Sequence, residues 1–410
     1  MKGLAVAAAI ATVMLFALAG AAEEMTLTRF DRAAADVSVS QGVEGSVKFS
    51  LQSADGGGKF LAMEFERVPE ATTAYVKLPL AKAIAANAAR FDGLTMRVAG
   101  DGSATYGLIE MITGNNGRYQ AVFPLTSTRW TTVAIRWDDF FANGDKSQAF
   151  MDPAIAEGFA FGSREKWASA KYAVADIALA KIPARPAVIA RAGSDRFAHL
   201  AANLAKGAPV TIVAFGDSIT AGVKVAEANR ADKLYFHYIA RGLEKAFPGA
   251  QVTTVNAGVG GESFGRAIVR MGHQVNAAKP DLVVILFGAN DAGSDHPVER
   301  VRHELSVMLD HLLTETQADV LVLSPTVGAY KTELLDEYAA MYKAVAAEKA
   351  VAYFDLRAAQ KALAAPQRER LLYTDQTHMV EYGHERSGEM VLGYILETIG
   401  AAPAAVAGNQ

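Results

Sequence analysis

Val210-Thr211-Ile212-Val213-Ala214-Phe215-Gly216-Asp217-Ser218-Ile219-Thr220 is the stretch whose reading decides the fold. A continuous apolar and β-branched run that stops at Gly-Asp-Ser reads as a parallel strand buried on both faces, followed by a small polar turn. Open α/β sheets place their chemistry just past the carboxyl ends of such strands, which makes Ser218 a candidate nucleophile. Taken alone, the same turn reads equally well as a helix start in which Asp217 or Ser218 is only a cap.

Downstream, apolar runs alternate with helical patterns. Helix 233–247 precedes strand 252–256, helix 264–275 precedes strand 282–287, and helix 298–316 precedes strand 320–324. Helix 333–349 precedes strand 351–355, and helix 382–399 closes the domain. Five strands separated by helices call for a parallel sheet covered on both faces. On that scaffold Ser218 follows the first strand and Asn256-Ala257-Gly258-Val259-Gly260-Gly261 follows the second. Gly288-Ala289-Asn290-Asp291 follows the third, and Asp375-Gln376-Thr377-His378 lies after the fifth. All four stretches converge on one carboxyl edge, where a ligand crevice is expected.

This order of Gly-Asp-Ser, glycine-bearing loop, Gly-x-Asn-Asp and Asp-x-x-His resembles the SGNH, or GDSL, hydrolase superfamily over about residues 208–400. The resemblance implies an α/β/α SGNH hydrolase domain with a five-stranded parallel sheet, and a serine esterase working through an acyl-enzyme without metal or cofactor. Its pattern makes Ser218 the nucleophile, His378 the base and Asp375 the orienting acid. A serine hydroxyl needs such a base, and the carboxylate fixes the imidazole tautomer and stabilises the imidazolium. The pattern assigns the oxyanion hole to the Ser218 backbone N–H, the Gly261 backbone N–H and the Asn290 side-chain amide. Asp217 and Asp291 read as turn-fixing, because carboxylates pointing inward would compete with the oxyanion.

Rival readings are weaker. Gly261-Glu262-Ser263-Phe264-Gly265 matches the G-x-S-x-G elbow, but the preceding strand ends near Asn256, several residues too early. Gly258-Val259-Gly260 hints at a dinucleotide loop, yet Ser263 stands where a glycine or alanine is required. His296 could line the crevice, although a surface loop is the plainer expectation. His237, His303 and His311 fall inside helices without partners at metal spacing, and His384 is the rival for the base.

Upstream, residues 24–181 read as short alternating strands, 46–53, 60–67, 94–99, 105–112, 119–124, 130–136 and 172–179, with one helix over 80–90. Asp55-Gly56-Gly57-Gly58, Gly100-Asp101-Gly102 and Gly114-Asn115-Asn116-Gly117 supply the turns of an antiparallel β-sandwich. The run Phe91-Asp92-Gly93-Leu94 to Gly100-Asp101-Gly102, with Tyr119-Gln120-Ala121-Val122-Phe123 and Trp130-Thr131-Thr132-Val133, resembles jelly-roll modules of the galactose-binding type. That likeness makes Tyr106, Tyr119, Trp137 and Trp167 candidate sugar platforms. Ile182-Pro183-Ala184-Arg185-Pro186 reads as a stiff linker, and a short helix begins near Ser194 before the second domain at about residue 208.

Composition narrows the class. A chain of 410 residues with 51% hydrophobic content has room for two domains. A net charge of −4 without a basic block argues against a nucleic-acid partner. The absence of cysteine removes disulfides, thiolate metal sites and thiol nucleophiles. Met1-Lys2-Gly3, the apolar run from Leu4 to Leu18 and Ala19-Gly20-Ala21-Ala22 have the order of a cleaved secretory signal over residues 1–22. Secretion or export to a periplasm is expected, with no membrane attachment after cleavage, and the alanine-rich residues 401–410 read as a disordered tail.

The function expected is a secreted serine esterase that removes O-acetyl groups from a polysaccharide or oligosaccharide, since the order of sandwich and SGNH domain is similar to carbohydrate acetylesterases. The alternatives are a short-chain lipid or aryl esterase, an acetyltransferase of the same superfamily, or a non-catalytic carbohydrate-binding protein. If the sandwich only adds binding, deleting residues 24–181 should raise KM for polymer and spare small esters.

Overall fold

The structure, a computed structural model, describes residues 23–30, 37–40, 46–54, 58–68, 74–144, 147–163, 168–185, 193–328 and 330–401. The expected leader, Trp167, Pro186 and the tail beyond Ala401 lie outside these residues. Among the described residues no helix is long and apolar enough to cross a membrane.

The first half contains β1 (Glu24–Thr28), β2 (Ser38–Ser40), β3 (Val47–Ser53), β4 (Lys59–Phe65), β5 (Ala74–Leu78), α1 (Ala81–Asn87) and β6 (Gly93–Ala99). It continues with β7 (Tyr106–Thr113), β8 (Arg118–Pro124), β9 (Thr131–Arg136), β10 (Phe141–Ala142), β11 (Ala156–Ser163) and β12 (Ala170–Ala180). One antiparallel sheet runs β3-β4-β12-β6-β9 with β1 beside β12, and the other runs β10-β8-β7-β11-β5-β2. Alternate residues of both, such as Leu61, Met63 and Phe65 of β4 and Ile109 and Met111 of β7, meet in a common core. The Phe123 and Tyr172 rings meet edge to face there at 5.5 Å.

Sheet β10-β8-β7-β11-β5-β2 is covered on its other face too. Tyr106, Leu108, Val122, Phe141 and Ala160 belong to the core of the second half of the chain. This burial overturns the reading of Tyr106 and Tyr119 as sugar platforms. Tyr106 and Tyr119 are 4% and 1% exposed. The half-buried Trp137 donates its indole N–H to the Phe91 carbonyl at 2.9 Å.

The second half contains α2 (Ala198–Ala205), β13 (Pro209–Gly216), α3 (Tyr235–Ala246), β14 (Gln251–Gly258), α4 (Phe264–Gln274), β15 (Leu282–Leu286) and α5 (Ala289–Gly293). Then come α6 (Val298–Glu315), β16 (Asp319–Leu323), α7 (Thr332–Glu348), β17 (Ala352–Phe354), α8 (Leu356–Lys361), α9 (Ala365–Arg368) and α10 (Glu381–Thr398). All pairs in the sheet β14-β13-β15-β16-β17 are parallel. Val213, Phe215, Val283 and Ile285 face the α4, α6 and α7 layer, while Ile212, Ala214, Leu282 and Val284 face the layer of α2, α3 and α10.

This strand order places the topological switch point between β13 and β15. Gly216 is in register with Gly258 on one side and Leu286 on the other, so the three following loops leave the sheet at one level. A Cβ on Gly258 would lie 2.3 Å from the Ala221 amide nitrogen, so only glycine lets the turn after Ser218 pack against the end of β14.

Candidate active site

The turn after β13 is closed by its own backbone. Ala221 N–H donates to the Asp217 carbonyl and Val223 N–H to the Ser218 carbonyl, both at 3.0 Å. One Asp217 carboxylate oxygen accepts the Ile219 N–H at 2.9 Å. Ser218 is thereby held at the sheet edge, 8% exposed.

His378 arrives from the loop before α10. Its Nε2 lies 2.8 Å from Ser218 Oγ, and its Nδ1 lies 3.0 Å from Asp375 Oδ2. The other carboxylate oxygen of Asp375 accepts the backbone N–H groups of Thr377 at 3.1 Å and His378 at 3.0 Å. Burial pushes the Asp375 carboxyl up, but these donors and the imidazole outweigh it and hold the group below its ordinary value. Serine, histidine and aspartate are thus joined in one line of hydrogen bonds, the arrangement a general-base relay requires.

Asn290 sits on α5, the single turn that follows β15. Its amide donates to the Glu262 carbonyl at 3.0 Å and lies 3.4 Å from Asp217 Oδ2, so it bridges the loop bearing Gly261 and the turn bearing Ser218. Gly261 has φ +77 and open space around it, and a Cβ on Gly260 would stand 3.9 Å from that of Ser218. Asp217 therefore fixes the turn with one oxygen and faces Asn290 with the other, more than the turn-fixing role alone. Burial pushes its carboxyl up to about 7.

The loop from Gly258 to Ser263 is held from below. Arg270 of α4, fully buried, donates to Glu262 Oε2 at 2.6 Å, the Ala257 carbonyl at 2.8 Å and the Gly216 carbonyl at 3.0 Å. Its guanidinium also stands 4.8 Å over the Phe215 ring. The first N–H groups of α4 are met by neighbours: Phe264 N–H by Asp291 at 3.4 Å and Gly265 N–H by Glu304 at 3.2 Å. Asp291, His296 and Glu304 bring ligand-type atoms within 4.8 Å of one another. Glu304 is paired with Arg300 at 2.9 Å, so the charge a metal would supply there is already present, and the cluster acts as a cap for α4.

The histidines sort clearly. His296 is buried, 3% exposed, and not on a surface loop, because Tyr338 of α7 donates to its carbonyl and Asp291 lies against its ring. His384 is fully buried and stacked on Tyr235; its Nδ1 accepts the Tyr235 N–H at 3.3 Å, and burial pushes its pKa down to about 3. It stays neutral behind the sheet. His303 contacts the Phe140 carbonyl at 2.9 Å across the contact between the two halves, His311 pairs with Glu315, and His237 accepts the Leu234 N–H. Ser263 is the buried residue at the start of α4.

Sequence reasoning missed Lys224 and Tyr373. The Lys224 ammonium lies 3.9 Å from Asp375 Oδ2 and 4.8 Å over the ring of Tyr373, which is 44% exposed. Proximity to the Ser218 turn and to Asp375 was the available signal, but neither residue type carries a motif.

Residues 214–386 match the GDSL-like lipase/acylhydrolase family. An arylesterase of Vibrio mimicus is 25% identical over 122 residues, 27% of this chain, and the chain spans about half (52%) of that relative's length. A lipase/acylhydrolase from Enterococcus faecalis is 26% identical, with 48% of this chain and 100% of that one covered at a TM-score of 0.41. A two-domain esterase active on acetylated mannans is 18% identical, with 52% and 56% covered at a TM-score of 0.43. The family match and the motifs at the ends of the strands point the same way: over residues 214–386 this chain is similar to the GDSL-like lipase/acylhydrolase family, and its motifs resemble those of the SGNH superfamily.

Proposed function

We propose that the protein is a serine esterase acting through an acyl-enzyme, with acetylated carbohydrate as its substrate class. The observation that carries the chemistry is the continuous hydrogen-bond line from Ser218 Oγ to His378 at 2.8 Å and on to Asp375 at 3.0 Å. Ser218 Oγ attacks the ester carbonyl as its proton passes to His378 Nε2. The carbonyl oxygen becomes an oxyanion met by the backbone N–H groups of Ser218 and Gly261 and by the Asn290 amide. The intermediate collapses, the C–O bond to the alcohol breaks, and His378 returns its proton to the leaving oxygen. Water then repeats the sequence on the acyl-serine, releasing the acid and restoring the hydroxyl.

The carbohydrate part rests on other grounds. A β-sandwich precedes the hydrolase domain, an order similar to that of carbohydrate acetylesterases, and we read the sandwich as a jelly-roll of the galactose-binding type. A cavity of about 360 Å³ on its sheet, lined by Tyr75, Glu110, Arg118 and Gly158 among others, has the size for one sugar ring. Export to the periplasm or the medium accords with the leader read from the sequence. A short-chain aryl ester is the second substrate reading, favoured by the arylesterase relative.

The test is turnover of 4-nitrophenyl acetate by the purified protein and its Ser218→Ala variant, followed by acetate release from acetylated xylan, pectin, mannan and peptidoglycan. The reading expects turnover that Ser218→Ala abolishes, and acetate from at least one polymer. An inert wild-type protein would contradict the esterase, and activity on the aryl ester alone would contradict the carbohydrate assignment.

A further inference from the structure

Lys224 stands where the chain has strained its backbone to put a cation beside the relay. Its φ of +91 lies in a region that non-glycine side chains rarely adopt, so its backbone holds a conformation disfavoured for lysine. The residue is tied to the nucleophile's turn, because the preceding Val223 donates its N–H to the Ser218 carbonyl. Its ammonium lies over the exposed Tyr373 ring and 3.9 Å from Asp375, beyond hydrogen-bond reach of a carboxylate already accepting from three donors. Among the described residues it makes no hydrogen bond to the protein, and its side chain is 38% exposed. The nearby Lys233, by contrast, is paired with Glu381 at 3.2 Å.

The side of the site on which this cation stands follows from the reaction. His378 Nε2 returns the proton to the leaving oxygen, so the alcohol must lie beside the imidazole. Tyr373 belongs to the same loop, its N–H donating to the His378 carbonyl at 2.8 Å. Lys224 and Tyr373 therefore stand on the His378–Asp375 arm of the relay, and a partly hydrated ammonium close to a departing alcohol favours one that carries a negative charge.

We propose that Lys224 selects the leaving alcohol, favouring one that carries a carboxylate, such as an acetylated uronic acid, over its neutral counterpart. The inference rests on the esterase reading above. It is tested with two matched pairs of esters, 4-acetoxybenzoate against methyl 4-acetoxybenzoate, and acetylated methyl glucuronoside against acetylated methyl glucoside. At low ionic strength, Lys224→Gln should lower the charged-to-neutral ratio of kcat/KM about tenfold in both pairs. Lys224→Arg should restore most of it, and 0.5 M salt should shrink the wild-type ratio toward that of the variant, since an exposed charge is screened over about 3–10 Å in this range. An equal loss on both members of a pair would overturn the proposal, assigning Lys224 to the support of Asp375, and an unchanged ratio would overturn it as well. Ser218→Ala, measured alongside, separates the two claims: surviving turnover sinks the esterase reading, whereas the Lys224 proposal fails on the ratio alone.

Discussion

Replacing Arg270 with methionine keeps most of the volume packed on Phe215 and removes the guanidinium. Four acceptors then lose a donor: the Glu262 carboxylate, the Gln274 side-chain carbonyl and the backbone carbonyls of Ala257 and Gly216, the last of which keeps the Val259 N–H at 3.0 Å. Breaking a buried ion pair from one side costs about 3–5 kcal/mol, and the loss of one of the donors at each carbonyl adds on the order of 1 kcal/mol. Methionine returns part of this through apolar burial, leaving an expected loss of about 4 kcal/mol. The two carbonyls end the strands that carry Ser218 and the Gly261 loop, so a shift there displaces nucleophile and oxyanion donors relative to each other. A misplacement of about 1 Å costs on the order of 100-fold in rate. Urea unfolding measures the first quantity, and kcat on 4-nitrophenyl acetate at a temperature where the variant is folded measures the second. A variant within about 1 kcal/mol of wild type, with kcat within about threefold, would refute the claim that this one side chain fastens the two strand ends.

Asn290→Ala should lower kcat by about 10²–10³-fold with little change in KM, because its amide acts on charge that exists only at the transition state; a matching rise in KM would speak for ground-state binding. Asp217 has its carboxyl raised to about 7, so its contribution to stability is fully present below the ordinary value near 4 and is lost as pH rises through about 7. Asp217→Asn should flatten the fall in unfolding free energy over that interval in denaturation curves at several pH values, and an unchanged slope would place the titration elsewhere, Glu304 first. Deleting residues 24–181 should abolish activity on small esters as well as polymer, since Tyr106, Leu108, Val122 and Phe141 complete the core around α4 and α6. A soluble truncated domain with full activity on 4-nitrophenyl acetate would show that this covering is dispensable.

The parallel sheet was legible because strands buried on both faces show as unbroken apolar runs, and β13 and β15 are such runs. The residues of the relay were legible because they lie on loops at strand ends, where position along the chain already implies position in space. Strand β11, Ala-Glu-Gly-Phe-Ala-Phe-Gly-Ser, escaped detection although it lies at the centre of its sheet. Its Gly162 packs against Tyr75, where a Cβ would come within 2.8 Å of the ring, so tertiary crowding and not strand propensity chose the residue. Strand β5 was missed too, being only five residues long. The aromatics of β7 and β8 were misjudged because their sheet is covered on both sides, a fact no local pattern announces. Arg270 looks like any charge on an amphipathic helix until the fold turns it inward.

Asp375 and His378 share one turn, pinned at its base by the pairing of Leu372 with Met379, while Ser218 belongs to the rigid edge of the sheet. Two parts of the catalytic apparatus therefore travel together as a cassette. A shift of that cassette would leave the imidazole correctly oriented by its carboxylate yet out of reach of the hydroxyl. Any effector or fastening that holds the turn away would silence the proposed esterase without disturbing a single hydrogen bond inside the pair, and its release would restore a base already in the right tautomer.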